Sequence, residues 1–280
     1  MSHLLLIDGH NLLFKMFYGM PEIFGRDGQK VQAVVGFAGA MRKVVSLCRP
    51  SHMLVLFDSE DCGDRRTDCP EYKANRPDYS AMAPEDCPFT QLPYIYRLLQ
   101  EMHIPYAEIH GCEVDDVIAA YALRCSAEGW YVNIMSTDRD YYQLIRDNIS
   151  VLLYHGFDSV SVTAETVFAK YGVYPDRFAD HKCLVGDKSD NITGVAGIGN
   201  KRAASLLNQY GSLEEILAHV EAITPPKIRE ALRDSGALLA RNRRLILLDG
   251  SAPLPYEPDT LAAPRFVHDG QPILQELGVQ

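Results

Sequence analysis

Three short runs, HLLLID (3–8), HMLVLFD (52–58) and YVNIMSTDRD (131–140), are almost unbroken in their apolar stretch and finish in aspartate. A strand apolar on both faces is one covered on both faces, which is the pattern of a buried parallel sheet. A fourth run, IPYAEIHGCE (104–113), leads out into Glu113. Between these runs lie helical patterns, VVGFAGAMRKVVSLC (34–48) and FTQLPYIYRLLQEM (89–102). Strands alternating with helices predict an α/β fold with a parallel sheet flanked by helices. In such sheets the functional crevice lies beyond the carboxyl ends of the strands, and here each strand delivers a carboxylate to that edge.

The stretch GCEVDDVIAAYALRC (111–125) adds Glu113, Asp115 and Asp116 at the mouth of an apolar helix. Glu113 and Asp115 would stand about 200° apart on one helix, so Glu113 is expected just before it and Asp115 and Asp116 in its first turn. Val117, Ile118, Tyr121 and Cys125 then form the buried stripe. Taken alone, acids at a helix start need no explanation beyond the helix dipole. Taken together, Asp8, Asp58, Glu113, Asp115, Asp116, Asp138, Asp140, Asp187 and Asp190 form a set of like charges that would repel one another without cations. Oxygen ligands without His or Cys suit hard divalent ions, not zinc. Two Mg²⁺ or Mn²⁺ ions about 4 Å apart would activate water and stabilise a leaving phosphodiester oxygen. A structural acidic cluster stays open as the alternative.

Composition limits the choices. The chain has 280 residues, 47% of them apolar, enough for one large domain or two modest ones. No apolar run approaches the roughly 18 residues needed to span a bilayer. MSHLLLIDGHN has no basic flank and reads as a first strand, not a signal peptide. Seven cysteines at 48, 62, 69, 87, 112, 125 and 183, without CxxC pairing, point to a reducing, cytoplasmic compartment. The formal net charge of −10 by itself opposes nucleic-acid binding. A cation-filled acidic cluster would account for much of that excess.

Three further segments stand out. Residues 59–88, rich in Asp, Cys, Pro and Arg, read as a loop or short-helix excursion over the sheet, long enough to suggest function. Within it YKANR sets Lys73 and Arg76 three apart, on one face if helical, before Pro77. They form either a solvated basic face or a phosphate clamp. Residues 183–217 read as helix, glycine-punctuated turn, helix. GVAGIGNKRAASLL is either a tight interhelical turn or a helix–hairpin–helix turn whose N–H groups approach phosphate. Lys201 and Arg202 sit badly for the dipole of the second helix, which favours the anion-binding alternative. The tail, 251–280, is Pro-rich without clear periodicity and reads as an extension.

IDGHNLL, LFDSED with Arg65 following, EYKANRP, EVDDVI, STDRDYYQL and GDKSDNITGVAGIGNKRAASLL together resemble the 5′-nuclease (flap endonuclease) family over about residues 4–250. The likeness is greatest to the N-terminal 5′→3′ exonuclease domain of bacterial DNA polymerase I and its free-standing relatives. With no polymerase region in the 280 residues, the likeness points to a stand-alone member. It implies a PIN-like core over 1–175 with a helical arch segment at about 59–100, a helix–three-turn–helix DNA-binding region over 176–250, and a C-terminal extension over 251–280. It implies Mg²⁺- or Mn²⁺-dependent hydrolysis where a 5′ flap meets duplex DNA, in replication and repair. Asp8, Asp58, Glu113 and Asp115 match a first metal site, Asp138, Asp140, Asp187 and Asp190 a second, and Asp116 lies near both. Lys73 and Arg76 match a basic pair on the scissile phosphate, with Tyr72 stacking on a base. Carbonyls of Thr193, Val195 and Ile198 match a potassium site beside duplex phosphates. Lys15, Arg65, Gly197, Gly199, Lys201 and Arg202 fall at expected DNA contacts. RNA-primed 5′ ends are an open case, a monomer is implied, and the setting would be the bacterial nucleoid.

The chain also departs from the family pattern. Lys15 stands where Arg is common, which keeps the charge and loses the bidentate grip. Thr193 replaces the usual Pro, Asp64 replaces an aromatic residue, and Asp61, Asp68 and Asp78 add acid to the arch segment. Every carboxylate of the pattern is present. The competing reading is a non-catalytic branched-DNA-binding protein of the same fold. An RNA-directed PIN ribonuclease is disfavoured by the GVAGIG element.

Overall fold

The computed structural model describes residues 2–59, 65, 69–264 and 270–279. Asp61, Asp64 and Asp68, expected in the arch, lie outside the described residues. The chain opens with strand β1 (His3–Asp8), helices α1 (Gly9–Gly19) and α2 (Gln32–Cys48), and strand β2 (His52–Asp58). Then come α3 (Leu92–Glu101), β3 (Tyr106–Ile109), α4 (Val114–Ala127), β4 (Tyr131–Met135), β5 (Ile149–Leu153) and β6 (Val160–Val162). The main sheet runs in the order β3-β2-β1-β4-β5-β6. All neighbours pair parallel except β5 with β6.

The apolar strand runs are buried as their composition requires. Leu4 to Ile7 and Met53 to Phe57 are fully buried. Alternate residues feed two cores. Leu5, Ile7, Met53, Val55 and Phe57 pack beneath α1, α2 and α3, and Leu4, Leu6, Leu54, Leu56, Val132 and Ile134 pack against α4 and the later helices. In α4 the expected stripe of Val117, Ile118, Tyr121 and Cys125 is fully buried. The chain order reverses at β1, which lies between β2 and β4, so the crevice at their carboxyl ends is the switch point where such sheets hold their chemistry.

The later helices are α5 (Ala164–Tyr171), α6 (Phe178–Val185), α7 (Asn200–Tyr210), α8 (Leu213–Ala218), α9 (Pro226–Arg233), α10 (Gly236–Ile246) and α11 (Gln271–Glu276). Between α6 and α7 a two-stranded hairpin forms from β7 (Gly186–Asp187) and β8 (Ile192–Thr193). A side chain at Gly194 would collide with the Val185 carbonyl, so this hairpin closes only around a glycine.

Two segments are held more firmly than their composition suggests. The helix expected over 89–102 forms as α3 and flanks the sheet, with Ile95, Leu98 and Leu99 fully buried beneath β2 and α2, although the expected arch segment ran on to about residue 100. The tail, expected as an extension, packs on the core in its described part. Met53 N–H donates to Leu261 O at 2.9 Å, Ala263 N–H donates to Ser51 O at 2.9 Å, and Ile273 of α11 is fully buried in the core under α3. Its anchors are backbone bonds, isolated buried side chains such as Leu261, and one short helix, which leave no periodic signature.

Candidate metal and phosphate site

Asp8 closes β1 and serves as the N-cap of α1, its Oδ1 accepting from Asn11 N–H at 2.9 Å. Its Oδ2 accepts from Ser136 Oγ at 3.1 Å and from the Tyr141 hydroxyl at 3.5 Å. The same hydroxyl donates to Asp115 Oδ1, so one buried tyrosine links two carboxylates. Asp58 closes β2. Its Oδ1 accepts from Val114 N–H at 2.9 Å, and Oδ2 lies 3.5 Å from His10 Nδ1. Glu113 is the residue before α4, with Asp115 and Asp116 in the first turn. Asp138 follows β4, and its Oδ1 accepts from Asp140 N–H at 2.8 Å.

Electrostatics shows how crowded this crest is. Burial, with Asp58 and Asp138 nearby, pushes the Asp8 carboxyl up to about 6 against the opposing bond from Asn11. Burial, with Asp138, Asp8 and Asp58, raises Asp115 well above its ordinary range. Asp138 is raised by burial although Lys182 and Lys73 oppose the shift, and it also feels Asp187. Asp138 is thus the electrostatic bridge to a second group, Asp140, Asp187 and Asp190, which offer carboxylate oxygens within 4.8 Å of one another. Oxygen-only donors grouped in this way fit hard divalent cations.

Among the described residues, four cations point into the acids. Arg65 bonds Glu113 Oε2 at 2.6 Å and Asp116 Oδ1 at 2.7 Å. Lys73 bonds Glu113 Oε1 at 3.1 Å, and Arg76 bonds Asp190 Oδ1 at 3.0 Å. Lys182 bridges Asp140 and Asp187. Burial works against ionising Asp187, but Lys182 and Ser189 outweigh it and bring its pKa down to about 2. Asp116 is turned aside: the oxygen held by Arg65 also accepts from Asp249 N–H at 2.8 Å.

Residues 71–76 are a run of turns, not a helix, with Lys73 at φ 56°. They are seated on the acidic loop. Lys73 N–H donates to Asp190 O at 3.0 Å, Asn75 Nδ2 to Lys188 O at 3.0 Å, and Asn191 Nδ2 to Glu71 O at 2.8 Å. Tyr72 is only 3% exposed, with the Lys73 ammonium 4.8 Å from its ring centroid, so it has little face for a base. Lys15 is partly buried on α1, and burial lowers its pKa.

At the turn before α7, Gly197 has φ 79°, a conformation that favours glycine, and Arg202 donates to its carbonyl at 2.6 Å. Gly199 is the N-cap without any side-chain cap and with open space at its Cα, and Lys201 is exposed in the first turn. The Thr193 carbonyl accepts from the fully buried Asn242 at 2.8 Å, and the Val195 carbonyl accepts from Ile198 N–H at 3.0 Å.

The reading from sequence missed Lys182, Tyr141, His10 and Asn242. For Lys182 the signal was there: it is a charge among core residues in the helix FADHKCLV.

Mostly parallel sheet, carboxylate crest, inward cations and adjoining hairpin define an α/β protein with an acidic cluster at the switch point of its sheet. Residues 3–172 match the family model for the 5'-3' exonuclease, N-terminal resolvase-like domain, and residues 173–268 match the 5'-3' exonuclease, C-terminal SAM fold. The chain belongs to the 5′-3′ exonuclease family. DNA polymerase I of Bacillus caldotenax is 35% identical over 261 residues, covering 92% of this chain and 29% of the polymerase. DNA polymerase I of Geobacillus stearothermophilus is 34% identical, covering 100% of this chain and 32% of that protein. The chain therefore spans about a third or less of the curated relatives it matches. Among solved structures, a zinc-bound T5 5′-exonuclease superposes with TM-score 0.74 at 25% identity, covering 89% of this chain and 90% of that one.

Proposed function

We infer that this chain is a divalent-metal-dependent 5′ nuclease, acting on DNA where a 5′ single strand meets duplex and removing nucleotides from 5′ ends. The observation that carries the reading is the convergence of Asp8, Asp58, Asp115 and Asp138 with the Asp140–Asp187–Asp190 group at one sheet edge, faced by buried cations. Asp8, Asp58, Glu113 and Asp115 would hold one Mg²⁺ or Mn²⁺, and Asp138, Asp140, Asp187 and Asp190 a second, with Asp116 as an outer support. Bound there, such ions supply an activated water and charge stabilisation for the leaving oxygen.

The chain's own residues do the rest. Lys73 and Arg76 are proposed to meet the scissile phosphate, where fixed donors stabilise developing charge better than water can. Their seat on residues 188–191 supports this role by fixing them relative to Asp190. Arg65, bound to Glu113 and Asp116, orients those carboxylates, and Tyr72 supports Lys73 from below. Lys15, Lys201, Arg202 and the backbone at Gly197 and Gly199 would hold phosphates, and the Thr193, Val195 and Ile198 carbonyls a potassium ion.

The division into a core (1–175), a hairpin-containing region (176–250) and a C-terminal segment belongs to the same proposal, as do a role in replication or repair, activity on RNA-primed ends, a monomeric state and a cytoplasmic setting. Among the described residues no helix is long and apolar enough to cross a membrane. The test is a labelled 5′-flap duplex incubated with and without Mg²⁺. Junction cleavage that requires Mg²⁺ is expected. Tight binding with no cleavage at any Mg²⁺ concentration would establish the binding-only reading instead.

A further inference from the structure

Lys182 has no part in the function described so far. It lies on α6 beside the core residues Phe178, Cys183 and Leu184 and is only 7% exposed. Its ammonium reaches Asp140 on one side and Asp187 Oδ2, at 2.5 Å, on the other. These two carboxylates, with Asp190, are the three whose oxygens gather within 4.8 Å. Asp190 is itself taken by Arg76. A hard divalent ion bound to this group needs the same oxygen lone pairs that Lys182 now uses. It would also stand within a few ångströms of a positive charge in a buried setting, where repulsion is weakly screened.

We propose that Lys182 is the resident occupant of the second cation seat, so that the second divalent ion binds by exchange with its ammonium. The inference rests on the two-cation reading of the acids. Without the divalent ion, Lys182 holds Asp140 and Asp187 together. When the ion arrives, Lys182 must release both. The second ion therefore binds more weakly than the first, whose acids are gathered around Asp8 with the Tyr141 hydroxyl among them; there Lys73 and Arg65 hold Glu113, but among the described residues no lysine bridges two of the four. A plain structural ion pair between α6 and the 138–140 turn predicts something different: removing Lys182 would then loosen the site and weaken every ion bound there.

Mn²⁺ titration of the full chain separates the two, followed by calorimetry and by the electron paramagnetic resonance of free Mn²⁺. Wild type is expected to take up Mn²⁺ in two steps. In Lys182→Met the second step should tighten by about tenfold or more, as expected on withdrawing a like charge from contact distance, while the first stays put. Lys182→Arg should keep the weak second step. A second step unchanged or weakened in Lys182→Met overturns the proposal.

Should Lys182→Met fail to fold, the wild-type protein still decides. Acetylation of Lys182, followed by mass spectrometry, should rise severalfold as the second step fills, because the displaced amine becomes accessible. Constant labelling across that step overturns the exchange. Absence of a second uptake in all three proteins removes the two-cation reading, and this proposal with it.

Discussion

Asp8→Asn should make the metal-free protein more stable while removing its chemistry. Asp8 is 8% exposed, and its carboxyl is pushed from 3.8 up to about 6, chiefly by burial and then by Asp58 and Asp138. A raised folded-state value means that the folded chain binds this proton more tightly than the unfolded chain. Below about pH 4 the group is protonated in both states and has no effect on the balance. Between about pH 4 and 6 the unfolded chain ionises while the folded one does not, so stability falls across that window and has fallen by the full gap once pH passes 6. A gap of about 2 units corresponds to about 3 kcal/mol.

Asparagine cannot ionise, yet it keeps an oxygen for the Asn11 N–H now bound at 2.9 Å. In EDTA at pH 7.5 the variant should gain up to about 3 kcal/mol, shrinking through pH 6 and vanishing below pH 4. Excess Mg²⁺ should reverse the order, because only wild type gains the full binding energy of the ion. Urea denaturation followed by the single tryptophan, Trp130, which is 8% exposed, reads this directly. A variant less stable than wild type in EDTA at pH 7.5, or a difference independent of pH, would refute the argument.

Lys73→Ala and Arg76→Ala should each remove about 3–4 kcal/mol of transition-state stabilisation, while flap binding measured in Ca²⁺ changes little. A large loss of affinity with intact turnover would reduce them to docking residues. Lys201→Ala should lower the slope of log affinity against log salt by about 0.9, equally for all duplex sequences, and an unchanged slope would leave it a solvated helix residue. Ile273→Ala should cost about 2–5 kcal/mol, because that side chain is fully buried under α3, and should leave the position of the cut unchanged. An unaltered urea midpoint would show that the tail is not part of the core.

What could be read in advance followed from periodicity and termination. HLLLID and HMLVLFD declared themselves because strands apolar on both faces have little choice but to be buried, and their final aspartates then had to stand at the sheet edge. Glu113 was legible because helix geometry separates it from Asp115. Residues 71–76 were not, since a lysine at φ 56° is dictated by bonds to residues 188–191, over a hundred positions away. The tail was hidden for a similar reason: besides the isolated buried side chain of Leu261, Leu261 and Ala263 anchor through backbone atoms, and neither kind of contact makes a periodic pattern. Lys182 was overlooked because attention to carboxylates alone says nothing about which cation already sits among them.

The central position of β1 has a consequence for how the molecule is made. The first strand of this sheet to leave a ribosome must wait for residues 52–58 on one side and 131–135 on the other before it is enclosed. The acids wait longer still, since the crest is gathered from positions between 8 and 190. Contacts of such long range form late and slowly. No nascent fragment that stops short of the 187–190 loop contains the whole set. A half-synthesised chain thus holds only part of the acidic set, which is complete only once the 187–190 loop has joined the sheet edge.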